Sequence, residues 1–174
     1  MKKTISILLL VTLFGCNNTK ENKVHNEEVL EKYFSVHISF KSNQPDKVNV
    51  SLRNIVIDEF QNKSVIFQES IIASNDFDEL KVVFGANDKA SNFAINLGIE
   101  NEKLFEIKSI KLAYGAKEVF IENTADFKKY FALNKYVNLE AGSIIKLNTL
   151  RINNQLNPVI YAKSQLLNRL FEED

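Results

Sequence analysis

A chain of 174 residues, 45% hydrophobic and 25% charged, has the size and balance of a single folded domain. Lys+Arg 22 against Asp+Glu 22 leave no net charge, so nothing in the balance draws the protein to nucleic acid or to an anionic surface. One Cys and two His exclude an intramolecular disulfide framework, a four-thiolate zinc site, a CxxC redox pair and a multi-histidine metal centre.

The chain opens on Lys2 and Lys3, followed by an apolar run from Ile5 to Phe14 broken only by Ser6 and Thr12. A positive start and a short apolar stretch together make a secretion signal. The run is about ten residues, half of the roughly 20 that a membrane-spanning helix needs. Leu13-Phe14-Gly15-Cys16 resembles the lipobox of bacterial lipoproteins. There the cysteine thiol takes a diacylglycerol, the signal is cut before it, and the new amino group is acylated, as with palmitate. The resemblance implies removal of residues 1–15 and lipidation of Cys16, the sole cysteine. Asn17, rather than Asp, follows it, which by resemblance to the sorting rule of enteric bacteria favours the outer membrane over the inner. Loss of Lys2 and Lys3 leaves the mature chain slightly acidic, so lipid and not charge would hold it on the membrane.

Residues 17–31 have no aromatic and only Val24, Val29 and Leu30 as aliphatics, so 16–32 reads as a lipidated, flexible tether. A short helix with Val29, Leu30 and Tyr33 on one face is the alternative for its second half. From Tyr33 the pattern has period two: Phe34, Val36, Ile38 and Phe40 alternate with Ser35, His37, Ser39 and Lys41, a half-buried strand. The same alternation returns at Val48-Val50-Leu52, Leu80-Val82-Phe84, Phe93-Ile95-Leu97-Ile99 and Ile110-Leu112-Tyr114, with denser runs at 55–57 and 65–67. Polar and Gly-containing segments at 42–46, 60–63, 74–76, 85–88 and 114–117 punctuate them as turns. Between Phe105-Ile107 and Ile110-Leu112 the phase slips, which predicts a bulge near Ser109. Residues 33–174 are therefore expected to form one all-β domain. It is an antiparallel, jelly-roll-like sandwich of about nine or ten strands with one or two short helices.

The helices are expected at two places. Phe127, Tyr130 and Phe131 have helical spacing, with Thr124 or Asp126 as the cap. Leu166, Leu167, Leu170 and Phe171 form a stripe over 164–171, capped by Ser164. That stripe either docks on its own domain or serves as a partner-binding helix. The segment Asp126 to Val137, after the strand Phe105–Tyr114, resembles one found in jelly-roll, carbohydrate-binding-module-like domains of bacterial envelope proteins. The resemblance implies a fold and brings no catalytic residue.

Chemistry is sparse. His25 and His37 are the only bases available to a Ser-His pair, and no Gly-x-Ser-x-Gly turn exists. Asn75, Asp76 and Asp78 are the least unsuitable metal ligands, but loop carboxylates of this kind ordinarily serve solvation, and no metal or other cofactor is expected. The five glycines are scattered singly, so no phosphate loop is readable. Sugar binding needs an exposed ring flanked by amides or Arg. Tyr33, Tyr114, Tyr136 and Tyr161 are the available platforms, with Arg151, Asn153 and Asn154 as polar contacts.

The expectation is a lipid-anchored, cell-envelope binding module without catalytic activity, held to the membrane through its N-terminal lipid and recognising a glycan or another envelope ligand. The alternative is a structural or accessory subunit docking on an envelope protein through an edge strand or the Leu166–Phe171 stripe.

Overall fold

Alternation in Tyr33–Ser42 (β1) buries Phe34, Val36, Ile38 and Phe40 and turns Ser35, His37, Ser39 and Lys41 outward. The structure, a computed structural model, describes residues 31–172; the expected signal, Cys16 and nearly all of the expected tether lie outside them. After β1 come Asp46–Val56 (β2), Asn62–Ile71 (β3), Asp78–Ala86 (β4), Ala90–Asn96 (β5), Leu104–Tyr114 (β6) and Lys117–Ile121 (β7). The helix Thr124–Tyr130 (α1) runs into Phe131–Leu133 (β8), followed by Val137–Leu139 (β9), Ile145–Thr149 (β10), Val159–Ala162 (β11) and Ser164–Phe171 (α2). No helix among the described residues is long and apolar enough to cross a membrane.

Two antiparallel sheets face each other. One has six strands in the order β4-β1-β6-β10-β9, with β7 sharing the β10 edge of β6; the other has five, in the order β3-β2-β5-β11-β8. Nested pairings of β1 with β6 and β2 with β5 are compatible with a jelly roll. The expected sandwich is thus present, with 11 strands. β8 and β9, three residues each, are too short to display a period.

The slip in β6 is a bulge. Ser39 pairs with Ser109 and Phe40 with Ile107, so Lys108 is the extra residue that returns Phe105, Ile107, Ile110 and Leu112 to the inner face. Phe34 ties the layers together: its ring stacks on Phe84 at 5.4 Å and meets Phe93 of the other sheet and Phe171 of α2 edge-on at 5.3 Å each.

Both helices close the core, and both caps differ from expectation. Asn123, not Thr124 or Asp126, caps α1: its Oδ1 accepts the Asp126 N–H at 2.9 Å and its Nδ2 donates to Asp126 Oδ2 at 2.8 Å. Thr124 is one residue too far in, and its hydroxyl donates instead to Ile144 O. Phe131 leaves the helix, extended at φ −123°, and starts β8. In α2 the cap position is Lys163, whose side chain makes no capping bond and donates instead to Lys128 O, and Ser164 is already helical. Leu166, Leu167 and Leu170 are buried against β5, β7 and α1, so the stripe belongs to the domain's own core.

Candidate functional site

The outer face of the five-stranded sheet gathers uncharged polar groups into a cleft. The register aligns them in rows. Gln68, Asn49, Asn96 and Val159 form one; Ile66, Ser51, Ala94, Tyr161 and Ala132 form the next; Arg53 opposite Asn92 begins a third. Ser51 and Ala94 are only 5% exposed although they point away from the sandwich interior, because larger neighbours rise around them. They are the floor of a cavity of about 230 Å³ lined by Asn49, Arg53, Ile66, Asn96, Asn157, Val159 and Tyr161. No carboxylate lines it, and Arg53 is its single charge.

The walls are fixed by bonds within the fold. Asn96 Oδ1 accepts the Gly98 N–H at 2.8 Å, while its Nδ2 donates to Asn157 Oδ1 at 2.7 Å. Asn157 is held in turn by Asn134, whose Nδ2 donates to its carbonyl at 2.7 Å. Gln68 Nε2 donates to Asn49 Oδ1 at 2.9 Å, and the Ser51 hydroxyl donates to Ala94 O at 3.3 Å. Tyr161, 41% exposed, is the aromatic of the cleft. Such a surface offers donors and acceptors in alternation beside a ring, which suits a polyhydroxylated ligand and provides no acid or base for bond cleavage.

At the end of the sheet nearest Asn96 lies a fully buried ion pair, Lys103 Nζ to Asp46 Oδ2 at 2.5 Å. Asp46 Oδ2 also accepts the N–H groups of Glu100 and Asn101 at 3.1 and 3.0 Å, and Lys103 Nζ donates to Leu97 O at 3.0 Å. Gly98, at φ +97°, passes so close that a Cβ would sit 2.2 Å from Asp46 Cγ, so this position accepts only glycine. The pair pins the loop from Asn96 to Lys103. Burial pushes the Asp46 carboxyl up, but the Lys103 hydrogen bond, the Asn101 and Lys47 N–H groups and the Lys103 charge outweigh it and hold the carboxyl below its ordinary value. Burial likewise pushes the Lys103 ammonium down, and Asp46 partly restores it. All of its partners are internal, so this pair is a structural clamp.

The tyrosines and polar residues singled out from sequence are dispersed. Tyr33 is exposed and donates to Glu31 Oε2 at 2.5 Å, which holds its phenol above the ordinary value. Tyr114 is buried, edge-on to Phe171 at 5.0 Å. These two lie at the opposite end of the six-stranded sheet from Tyr136, which is buried with its hydroxyl on Gln155 Oε1 at 3.2 Å. Asn153 and Asn154 sit at φ +50° and +62° between Ile152 and Gln155, which exchange backbone bonds at 2.9 Å. Left-handed asparagines in a two-residue loop make the turn. Arg151 reaches over it to Asn154 O at 3.4 Å and Glu100 O at 3.2 Å. Tyr161 alone among the four tyrosines stands in the cleft. Composition by itself missed Asn49, Ser51, Arg53, Asn96 and Asn157; the signal that finds them is the outward parity of β2 and β5, whose polar residues carry no acid.

Asp76, in the loop before β4, donates its N–H to Ser74 Oγ, and Asp78, the first residue of β4, accepts the Glu79 N–H at Oδ1. No group of three or more His, Cys, Asp or Glu placed to hold a metal occurs among the described residues. A second groove, about 310 Å³, runs past Tyr114, Phe171 and the stems of Lys32 and Lys117, where Lys117 donates to the Glu172 carbonyl. It is bordered by the last turn of α2, whereas the sheet cleft is built from four strands, β2, β3, β5 and β11. The chain matches no protein-family model and no curated protein.

Proposed function

We propose that this domain is a non-catalytic binding module that takes a saccharide in the cleft of the five-stranded sheet. In this reading the chain is carried on the cell envelope by a lipid on Cys16, outer membrane rather than inner. The observation that carries the binding reading is Tyr161: an exposed ring beside Asn49, Asn96, Asn157 and Ser51, with no carboxylate in the cleft. A pyranose lays its apolar C–H face on such a ring and exchanges hydroxyl bonds with amides that both donate and accept. The docking reading loses the Leu166–Phe171 stripe, which is occupied by the core.

A glycan-array screen of the full chain in detergent, including polysaccharide from the producing cell, tests the proposal. The expected result is a saturable hit that Tyr161→Ala weakens by roughly tenfold or more, as truncation of a central aromatic does, with melting temperature unchanged. Tyr33→Ala, on the other sheet, is expected to bind like the native protein. Absence of any hit, or a hit indifferent to Tyr161, sinks it. For the anchor, Cys16→Ser should release the chain from the membrane fraction; a chain that stays bound and is cut at the same place refutes lipidation.

A further inference from the structure

The five-stranded sheet ends on one side in β8, three residues long, and on the other in β3, which has ten residues and neither Gly nor Pro. β2 occupies one edge of β3; among the described residues no strand occupies the other. Ile66 is 58% and Phe67 40% exposed. A long strand edge with open N–H and C=O groups and an apolar centre at Val65–Phe67 is a template for another strand.

We propose that the occupant is β3 of a second copy, paired antiparallel about Ile66. In an antiparallel pair, opposite residues direct their backbone groups either both toward each other or both away. Both members of a self-pair must therefore have the same parity, and the two-fold axis must fall on a residue, not between two. Three centres are available near the middle of the strand. An axis at Val65 sets Lys63 against Phe67, and an axis at Phe67 sets Val65 against Glu69 and Lys63 against Ile71. An axis at Ile66 sets Lys63 against Glu69, Val65 against Phe67 and Ser64 against Gln68, each twice, with Ile66 opposite itself. Only this register matches charge with opposite charge, apolar with apolar and polar with polar.

The side-chain directions agree. Val65 and Phe67 lie on the side of β3 that faces the sandwich, opposite Leu52 and Val50, and Phe67 already meets Phe84 of β4 edge-on at 5.2 Å. Pairing would extend the core past its present border. Lys63 bonds Asp88 at 2.8 Å, yet its side chain is still 45% exposed and has donors to share with Glu69 of the other copy. Ile66 stands on the outer face as a wall of the cleft, so the dimer would place two clefts side by side on one continuous sheet twice as wide. The pairing does not depend on what the cleft binds.

Thiol cross-linking of the full chain in detergent tests it. Ile66→Cys places two thiols across the axis and should oxidise to a covalent dimer at least roughly tenfold faster than Ile72→Cys, because pairing raises the local thiol concentration. Ile72 is 69% exposed and one residue beyond the strand. The native chain under the same oxidation accounts for Cys16. The protein should sediment at twice the monomer mass. Ile66→Asp, which sets carboxylates against each other, should return it to a monomer that still unfolds in one cooperative transition, and Glu69→Lys should weaken the dimer. A monomeric native protein overturns the proposal. So does an Ile66→Cys chain that cross-links no faster than Ile72→Cys, or that links to a different protein.

Discussion

The two outer faces of the sandwich are built by the same alternation and look alike strand by strand, but they differ across strands. On the six-stranded sheet the charged outward residues are matched: Lys81 with Glu79 at 2.6 Å, Lys111 with Glu118 at 2.6 Å, and Lys41 and Lys146 with Glu106 at 3.2 and 3.5 Å. His37 completes this surface, 3.3 Å from Glu79. On the five-stranded sheet the outward residues are amides, a hydroxyl, an aromatic ring and one guanidinium over a floor of Ser51 and Ala94. A face whose charges are already paired is solvated and complete. A face of uncharged donors and acceptors around a recess retains bonding capacity that a ligand can use. Polar content alone does not separate them; pairing across the register does.

The largest expected effect lies beneath the amide face. Lys103→Met should lower stability by about 3–5 kcal/mol in denaturant unfolding, because it leaves Asp46 buried without its counter-charge. The double variant Lys103→Met with Asp46→Leu should recover most of that loss, since an apolar pair carries no desolvation cost. The loop from Asn96 to Lys103 would relax in the single variant, so saccharide binding should fall as well. Removing a pair from the charged face should leave binding intact.

Next in size is an acid transition. The Asp46 carboxyl is depressed in the folded protein, so its contribution is complete above its unfolded value and fades as pH falls through the lower folded one. Stability should therefore decline below about pH 4, where an unperturbed aspartate titrates. Asp46→Asn, already weaker at neutral pH, should show a shallower decline over that range in pH-dependent unfolding. An equally steep decline would mean that other carboxylates govern it.

Much of the fold was legible in the sequence because burial leaves a period. The alternations of β1, β4 and β6 named their inner faces correctly, and the slip in β6 pointed to a bulge near Ser109, where the register leaves Lys108 as the extra residue. What resisted was information that no period holds. β8 and β9 are too short to show one, and the α1 cap turned on a single residue, Asn123. The cleft escaped because it consists of residues from β2, β3, β5 and the segment 157–161, which become neighbours only through register. Residue type singled out Asn153 and Asn154 as ligand contacts; the structure gives their backbone a left-handed turn outside the cleft. Asn154→Ala should accordingly cost about 1 kcal/mol in thermal unfolding and Asn154→Gly almost nothing, with saccharide affinity unchanged in both. A loss of affinity with intact stability would return this turn to the binding surface.

The smallest expected effect falls on the charged face, where Lys81→Ala breaks one of its two shortest contacts. Both partners are more than half exposed, so solvent screens the pair and the side chains give up freedom to hold it. The Lys81 hydrogen bond and charge hold the Glu79 carboxyl below its ordinary value, but at that exposure the shift carries little stability. Unfolding should barely move, and high salt should shrink even that difference. Saccharide binding should not change at all. If Lys81→Ala instead weakened binding as Tyr161→Ala is expected to, the charged face would be the recognition surface and the contrast between the two sheets would point the other way.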